Sequence, residues 1–161
     1  MFVMNRVLLI IIALSFVVTT QAQNRIVVSK SDFTLSVISS EGDTLFRCGV
    51  AYGKNPGNKR VLGDGKTPEG VFKVNMIHES SSWVHDFKDG KGLVPGAYGP
   101  YFLRLSVPGF YSIGIHGTCF PESIGTRATR GCVRCKNEDL TELIKYVSVG
   151  TEVRILPDHT L

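Results

Sequence analysis

The sequence predicts a mainly β domain with one or two short helices packed against it. Three observations carry this. Apolar residues fall mostly in short β-branched runs with partial alternation. Those runs are separated by clusters of Gly, Pro, Asn, Asp and Ser. Beyond the N-terminal apolar run, only one stretch places its apolar residues at helical spacing. At 161 residues, with 43% hydrophobic and 20% charged residues, the chain has the size and balance of one globular domain.

Residues 1–22 stand apart. Asn5 and Arg6 precede an apolar run from Val7 to Val18, and Thr20-Gln21-Ala22 offers a small-residue cleavage site, the layout of a secretory signal peptide. The run is short for a membrane span, which needs roughly 20 residues. No cysteine lies near the cleavage site, which argues against a lipoprotein. The expectation is a leader over 1–22 and one folded domain over 23–161, exported or periplasmic, with no stable span after cleavage and acting as a monomer.

From there the elements follow in order. Arg25 to Val28 and Phe33 to Ile38 read as strands, Ser40-Glu41-Gly42-Asp43 as a turn, and Thr44 to Val50 as a third strand of a meander. Asn55-Pro56-Gly57-Asn58 and Gly63-Asp64-Gly65 mark a long loop. Val71 to Val74 resumes as a strand, and the aperiodic stretch with His78, Ser80, Trp83 and His85 reads as an irregular excursion. Tyr101 to Leu105 and Tyr111 to Ile115 are further strands, the second carrying His116 at its end. The helix begins at a predicted N-cap, Asn137, with Glu138 and Asp139 at the positive end of its dipole. Leu140, Leu143, Ile144 and Val147 lie on one face, and the helix runs to about Ser148-Val149-Gly150. Val153 to Leu156 is the last strand.

A net charge of +4, reduced to +3 when Arg6 leaves with the signal, is too weak to imply nucleic acid. Lys54, Lys59, Arg60 and Lys66 form a basic cluster that reads as a solvated loop, with contact to an anionic wall polymer or a substrate carboxylate as the alternative. Four cysteines, Cys48, Cys119, Cys132 and Cys135, occur in a chain expected outside the cytoplasm, where disulfides persist. If Cys132 works as a thiol, the other three allow at most one internal disulfide, and spacing does not choose the pair. Cys132-Val133-Arg134-Cys135 also has the C-x-x-C redox form, but it lacks the strand-then-helix setting of a thioredoxin-type site. No second Cys/His pair has zinc spacing, so no metal and no cofactor are expected.

The chemistry concentrates in Ile115 to Cys135, where a histidine and a cysteine sit among glycines at loop spacing. A thiol is a poor nucleophile until ionised, and a nearby imidazole is the usual device for removing its proton. Gly117 and Gly131 would let backbone amides approach a developing oxyanion. His116-Gly117-Thr118 followed by Thr129-Arg130-Gly131-Cys132-Val133-Arg134 resembles the signature of the L,D-transpeptidase catalytic domain, the YkuD-like family. Gly63-Asp64-Gly65-Lys66-Thr67-Pro68-Glu69-Gly70-Val71-Phe72 upstream and Gly150 to Ile155 downstream extend the resemblance over nearly all of the chain after residue 24.

The resemblance implies a YkuD-like β sandwich with the cysteine on a loop leading into the helix, and an activity on peptidoglycan stem peptides. Cys132 would be the nucleophile, His116 the base, and the main-chain carbonyl of Gly117 the group orienting the imidazole. Arg134 would hold a stem-peptide carboxylate through bidentate hydrogen bonds. Arg130 stands where many relatives have His and can donate but not act as a base. Thr129 and Gly131 complete the loop, and Tyr101 joins Arg130 and Arg134 in the substrate groove. His78, His85 and His159 match no motif and read as solvated residues, the first two with a place on a substrate-facing loop as the alternative. The nearness of Cys119 and Cys135 to Cys132 raises disulfide formation as a route to inactivation. Three alternatives remain open: a hydrolytic relative acting as L,D-carboxypeptidase or as an amidase on wall-linked protein, a non-catalytic wall-binding module, and a thiol–disulfide oxidoreductase.

Overall fold

The computed structural model describes residues 23–90 and 92–158; the expected leader over residues 1–22 and His159 lie outside the described residues. In chain order the strands are β1 (Arg25–Ser29), β2 (Thr34–Ile38), β3 (Thr44–Gly49), β4 (Tyr52–Gly53), β5 (Gly70–Glu79), β6 (Val84–Asp86), β7 (Leu93–Pro95), β8 (Tyr101–Leu105), β9 (Gly114–His116), β10 (Arg127–Thr129), β11 (Val133–Arg134) and β12 (Glu152–Leu156). One α-helix, α1 (Asn137–Leu143), and a 3-10 turn at Pro121–Ser123 complete the described elements. The domain is mostly β, as the alternating runs predict.

Alternation makes the sheet amphipathic. In β1 Ile26 and Val28 are fully buried, in β2 Leu35 and Val37, and in β12 Val153 and Ile155, each flanked by more exposed residues. The strand order is β11-β9-β8-β5-β12-β1-β2-β3. The long strand β5 joins two halves: Gly70 to Lys73 pair with β12, and Val74 to Glu79 pair with β8 across an irregularity. Ile26, Val28, Leu35 and Val37 from one half and Leu103, Leu105, Ile115 and Val133 from the other meet in a single core, closed by Leu140 and Leu143 of α1.

Three sequence expectations are corrected. Most of the excursion after Val74 is ordered: β5 runs on to Glu79, and β6 and β7 form an antiparallel hairpin. The strand carrying His116 is short, beginning at Gly114, because Val107 and Phe110 close a turn and Tyr111 is 86% exposed. The helix ends at Leu143, and Lys136 rather than Asn137 occupies the N-cap position, with no side-chain cap bond. The Asn137 side chain serves elsewhere, as shown below. Among the described residues no helix is long and apolar enough to cross a membrane.

Candidate active site

Two adjacent parallel strands bring the cysteine and the histidine together. β11 pairs with β9 so that Val133 lies across from Ile115 and Arg134 from His116. Cys132, one residue earlier, therefore faces Gly114 at the end of the sheet. The loop that presents it is held by two threonine hydroxyls. Thr129 Oγ1 donates to Cys132 O (2.6 Å) and accepts from Gly131 N (3.1 Å). Thr67 Oγ1, fully buried, donates to Gly131 O (2.9 Å) and accepts from Gly53 N (2.8 Å). Gly131 has φ +142°, and a Cβ there would stand 2.8 Å from Lys66 O, so only glycine fits without displacing backbone. Thr67, quoted in the sequence only as part of a motif, is thus a strut of the cysteine loop.

The Cys132 thiol donates to Ser112 O (3.3 Å), not to the imidazole. The residue is half-buried. Burial pushes its thiol above the ordinary value, opposed by the Gly114 N–H, the Arg134 guanidinium and the Lys59 ammonium.

His116 is 4% exposed. Its ring stacks on Phe102 (5.6 Å, 6°) and meets the edge of Tyr98 (5.1 Å). Nδ1 lies 2.6 Å from Gly117 O. A carbonyl only accepts, so Nδ1 carries the proton and Nε2 is left as the acceptor nitrogen. Burial lowers the imidazole to about 4, with the Gly117 carbonyl pulling the other way and Arg134 adding to the lowering, so the ring is neutral at pH 7. Asn137 accounts for the direction of that carbonyl. Its Oδ1 accepts from Thr118 N (2.8 Å) and packs on Gly117 where a side chain would stand, next to Gly99. Gly117 is required by this close approach rather than by an unusual φ.

Both residues line a cavity of about 1040 Å³, together with Thr129, Arg130, Arg134 and Lys59. Arg134 is buried: Nη1 donates to Ser123 Oγ (2.9 Å), the guanidinium lies over Phe120 (5.9 Å), and Nε has no partner. Burial lowers its affinity for a proton, while the side of the guanidinium left unsatisfied asks for an anion. Arg130 is exposed and donates through Nη2 to Phe87 O (3.0 Å), tying the loop after β6 to the cysteine loop. Tyr101 is a correction: it packs against the core and is not among the residues lining the cavity, whose aromatic members are Trp83, Phe87, Tyr98, Phe102, Tyr111 and Phe120.

His78 and His85 are a second correction to the solvated reading, for both line this cavity. His78 packs on Trp83 (5.4 Å), and His85 Nδ1 bonds the Tyr98 hydroxyl (2.8 Å). Periodicity could not find them, because neither the end of β5 that carries His78 nor the hairpin strand that carries His85 has an alternating pattern. Lys59, too, is buried rather than solvated. All four cysteines are free; Cys48 and Cys135 lie buried in the core away from the cavity, where the neighbouring Cys48 thiol and burial push the Cys135 thiol well above its ordinary value. Among the described residues no three His, Cys, Asp or Glu side chains converge as metal ligands.

The profile of the L,D-transpeptidase catalytic domain, YkuD, matches residues 23–155. The chain belongs to this family. A similar protein is the L,D-transpeptidase homologue YkuD of Bacillus licheniformis, 47% identical over 62 residues, a stretch covering 38% of this chain and 36% of that protein. The L,D-transpeptidase homologue from the ATP synthase region of Fuscovulum blasticum is 29% identical over 129 residues, covering 71% and 67%. The matches cover between 17% and 67% of the length of the curated relatives. Among solved structures, the catalytic domain of the Enterococcus faecium L,D-transpeptidase aligns with TM-score 0.59 at 21% identity over 85% of this chain and 99% of that one. The helical cell shape determining protein Pgp2 of Campylobacter jejuni aligns with TM-score 0.61 at 22% identity over 86% and 50%. At these identities the structural matches establish the shared YkuD fold.

Proposed function

We propose that this chain is an exported cysteine acyltransferase of the L,D-transpeptidase type, acting on peptidoglycan stem peptides through an acyl-enzyme on Cys132. The observation that supports the reading is that the Cys132 thiol lines one cavity, at the end of adjacent strands, with a buried, neutral imidazole whose Nε2 is left as the proton acceptor. For reaction the thiol leaves Ser112 O and turns toward His116. Nε2 takes the Sγ proton, and the sulfur attacks the carbonyl carbon of the L,D peptide bond. Gly131 N–H is committed to Thr129 Oγ1, so the Cys132 N–H is the amide at the nucleophile that meets the developing oxyanion. Collapse breaks the C–N bond, and the imidazolium returns its proton to the departing D-residue's amine. In the second half His116 takes a proton from an incoming amine, whose nitrogen attacks the acyl carbon; the C–S bond breaks and the imidazolium returns the proton to the Cys132 sulfur. The unsatisfied side of Arg134 serves to hold a carboxylate of the stem peptide.

Incubation with purified disaccharide-tetrapeptide, followed by intact-mass and product analysis, tests this. The expected result is a thioester adduct on Cys132, loss of the terminal D-residue, and cross-linked or exchanged product rising as amine acceptor is added. Exclusive tripeptide at every acceptor concentration would make the protein a carboxypeptidase. Full turnover by folded Cys132→Ala would overturn the nucleophile assignment.

A further inference from the structure

The long loop between β4 and β5 carries a basic cluster that the sequence alone leaves as a solvated surface. Lys59 departs from that reading. Its side chain is 3% exposed, its Nζ pairs with Asp64 Oδ1 at 2.8 Å, and the ammonium sits 5.0 Å over the Phe110 ring. Asp64 is in turn fixed by the backbone N–H groups of Arg60 (2.7 Å), Val61 (3.1 Å) and Lys66 (3.0 Å). Burial opposes its ionisation most strongly, yet Lys59 and these three donors together hold the carboxyl far below the usual range. The pair is therefore charged and pinned.

This pinned cation is not isolated in the core. It lines the cavity, and the same loop runs beneath the cysteine loop, where Lys59 Nζ lies 3.6 Å from the point at which a Gly131 Cβ would stand. Among the described residues, the charged and titratable groups around the cavity that Cys132 lines are His116 from β9, Arg134 from β11, His78 from β5, His85 from β6, Arg104 from β8, Tyr98 and Tyr111 from the loops before β8 and β9, Arg130 from the cysteine's own loop, and Lys59, paired with Asp64, from this one. His116 is buried and neutral and so accepts a proton without supplying standing positive charge. Arg130 is exposed and donates to Phe87 O; Arg134, which also favours the thiolate, donates to Ser123 Oγ and keeps an unpartnered Nε for a substrate anion.

We propose that Lys59 is a positioning residue of this site: held by Asp64 beside Gly131, its ammonium supplies positive charge against which the Cys132 thiolate forms. The inference rests on the assignment of Cys132 as nucleophile. In the reaction the thiol proton still goes to His116 Nε2; Lys59 keeps its proton and lowers the energy of the sulfur anion before it attacks.

The test reads thiol ionisation without any peptidoglycan. The rate of Cys132 alkylation by iodoacetamide is followed by peptide mass analysis from pH 6 to 10 in the wild type, Lys59→Met, Lys59→Gln and Lys59→Arg, with folding checked by circular dichroism. Loss of a cation at this range is expected to raise the alkylation midpoint by about one pH unit, so that alkylation at pH 7 slows about tenfold, while the high-pH plateau, which reports access, stays unchanged. Lys59→Arg is expected to restore the wild-type midpoint. Lys59→Gln keeps a polar side chain toward Asp64 and decides the question if Lys59→Met does not fold. An unchanged midpoint in a folded neutral variant, or an equal shift in Lys59→Arg, overturns the proposal. A shifted midpoint in a protein that gives no product from stem peptides would sink the substrate reading and leave the role of Lys59 standing.

Discussion

The burial of His116 makes the stability of the domain depend on pH in a defined window. The imidazole is held near 4 in the folded chain against an ordinary value of 6.5, so as pH falls the unfolded state takes up this proton first. The native state is undisturbed above pH 6.5, loses stability between 6.5 and 4, and levels off below. Integrated from pH 7.5 to 4.5, that difference amounts to about 2.5 kcal/mol. At 4% exposure solvent does little to screen it. His85, half-buried, is also held below its ordinary value, by burial and then by Arg130, and adds a contribution of the same sign. Asp64 and Asp158 are held low and lose their contribution only under more acid conditions. Urea unfolding at the two pH values, in the wild type and in His116→Gln, isolates the His116 part because the His85 part is common to both. The wild type is expected to lose about 2.5 kcal/mol more than the variant over this interval. If both lose the same amount, His116 is not a buried neutral imidazole, and its assignment as a proton acceptor at neutral pH loses its physical basis.

Three further outcomes follow from the struts of the cysteine loop. Thr67→Val keeps the volume but strands the Gly53 N–H and the Gly131 carbonyl, so thermal unfolding should show a loss of roughly 2–4 kcal/mol that Thr67→Ser largely restores; a midpoint unchanged in Thr67→Val would show the hydroxyl to be idle. Gly131→Ala combines a φ closed to side chains with a backbone contact at 2.8 Å and should cost at least about 2 kcal/mol and most of the turnover, whereas Gly125→Ala, also at positive φ (+85°) but with nothing within 4 Å, should cost less and leave turnover intact. Arg130→Ala releases Phe87 O, and amide exchange over Val84–Asp86 should quicken severalfold while β8 is unaffected; equal exchange in both proteins would mean that Arg130 does not tether the hairpin.

Much of the fold was legible because its signals are local. Ile26, Val28, Leu35, Val37, Val153 and Ile155 alternate in sequence and point inward in the sheet, so period alone places β1, β2 and β12. The hairpin of β6 and β7 was not legible. Val84 is 50% exposed and Leu93 68%, so neither strand has a buried face to impose alternation. What holds the hairpin is its own pairing, the edge-on aromatic contacts of Trp83 and His85 with Tyr98, and the Arg130 tether, none of which leaves a periodic trace. The end of the helix was misread for a related reason. Ile144 and Val147 stay at helical spacing beyond Leu143, but the chain is already turning there toward the Ser148–Thr151 hydrogen bonds that lead into β12.

The candidate site divides along the same line. The residues that would meet substrate lie close together in sequence, as His116 and as Thr129 to Arg134, and a motif reading reaches them. The residues that hold them in place come from far along the chain: Thr67 acts across 64 positions on Gly131 O, Lys59 lies beside the same glycine, and Asn137 reaches back 19 positions to the loop after His116. Asn137 shows why composition misleads here. An Asn before a helical run is ordinarily a cap, and its neighbours Glu138 and Asp139 suit that role. In this chain Lys136 takes the cap position and frees the Asn137 oxygen for Thr118 N, which fixes the loop whose Gly117 carbonyl orients the imidazole. Asn137→Ala should therefore leave the helix formed while lowering turnover, and Asn137→Asp, which keeps an accepting oxygen at the same reach, should recover most of it. A variant that loses helix content and activity together would return Asn137 to the capping role.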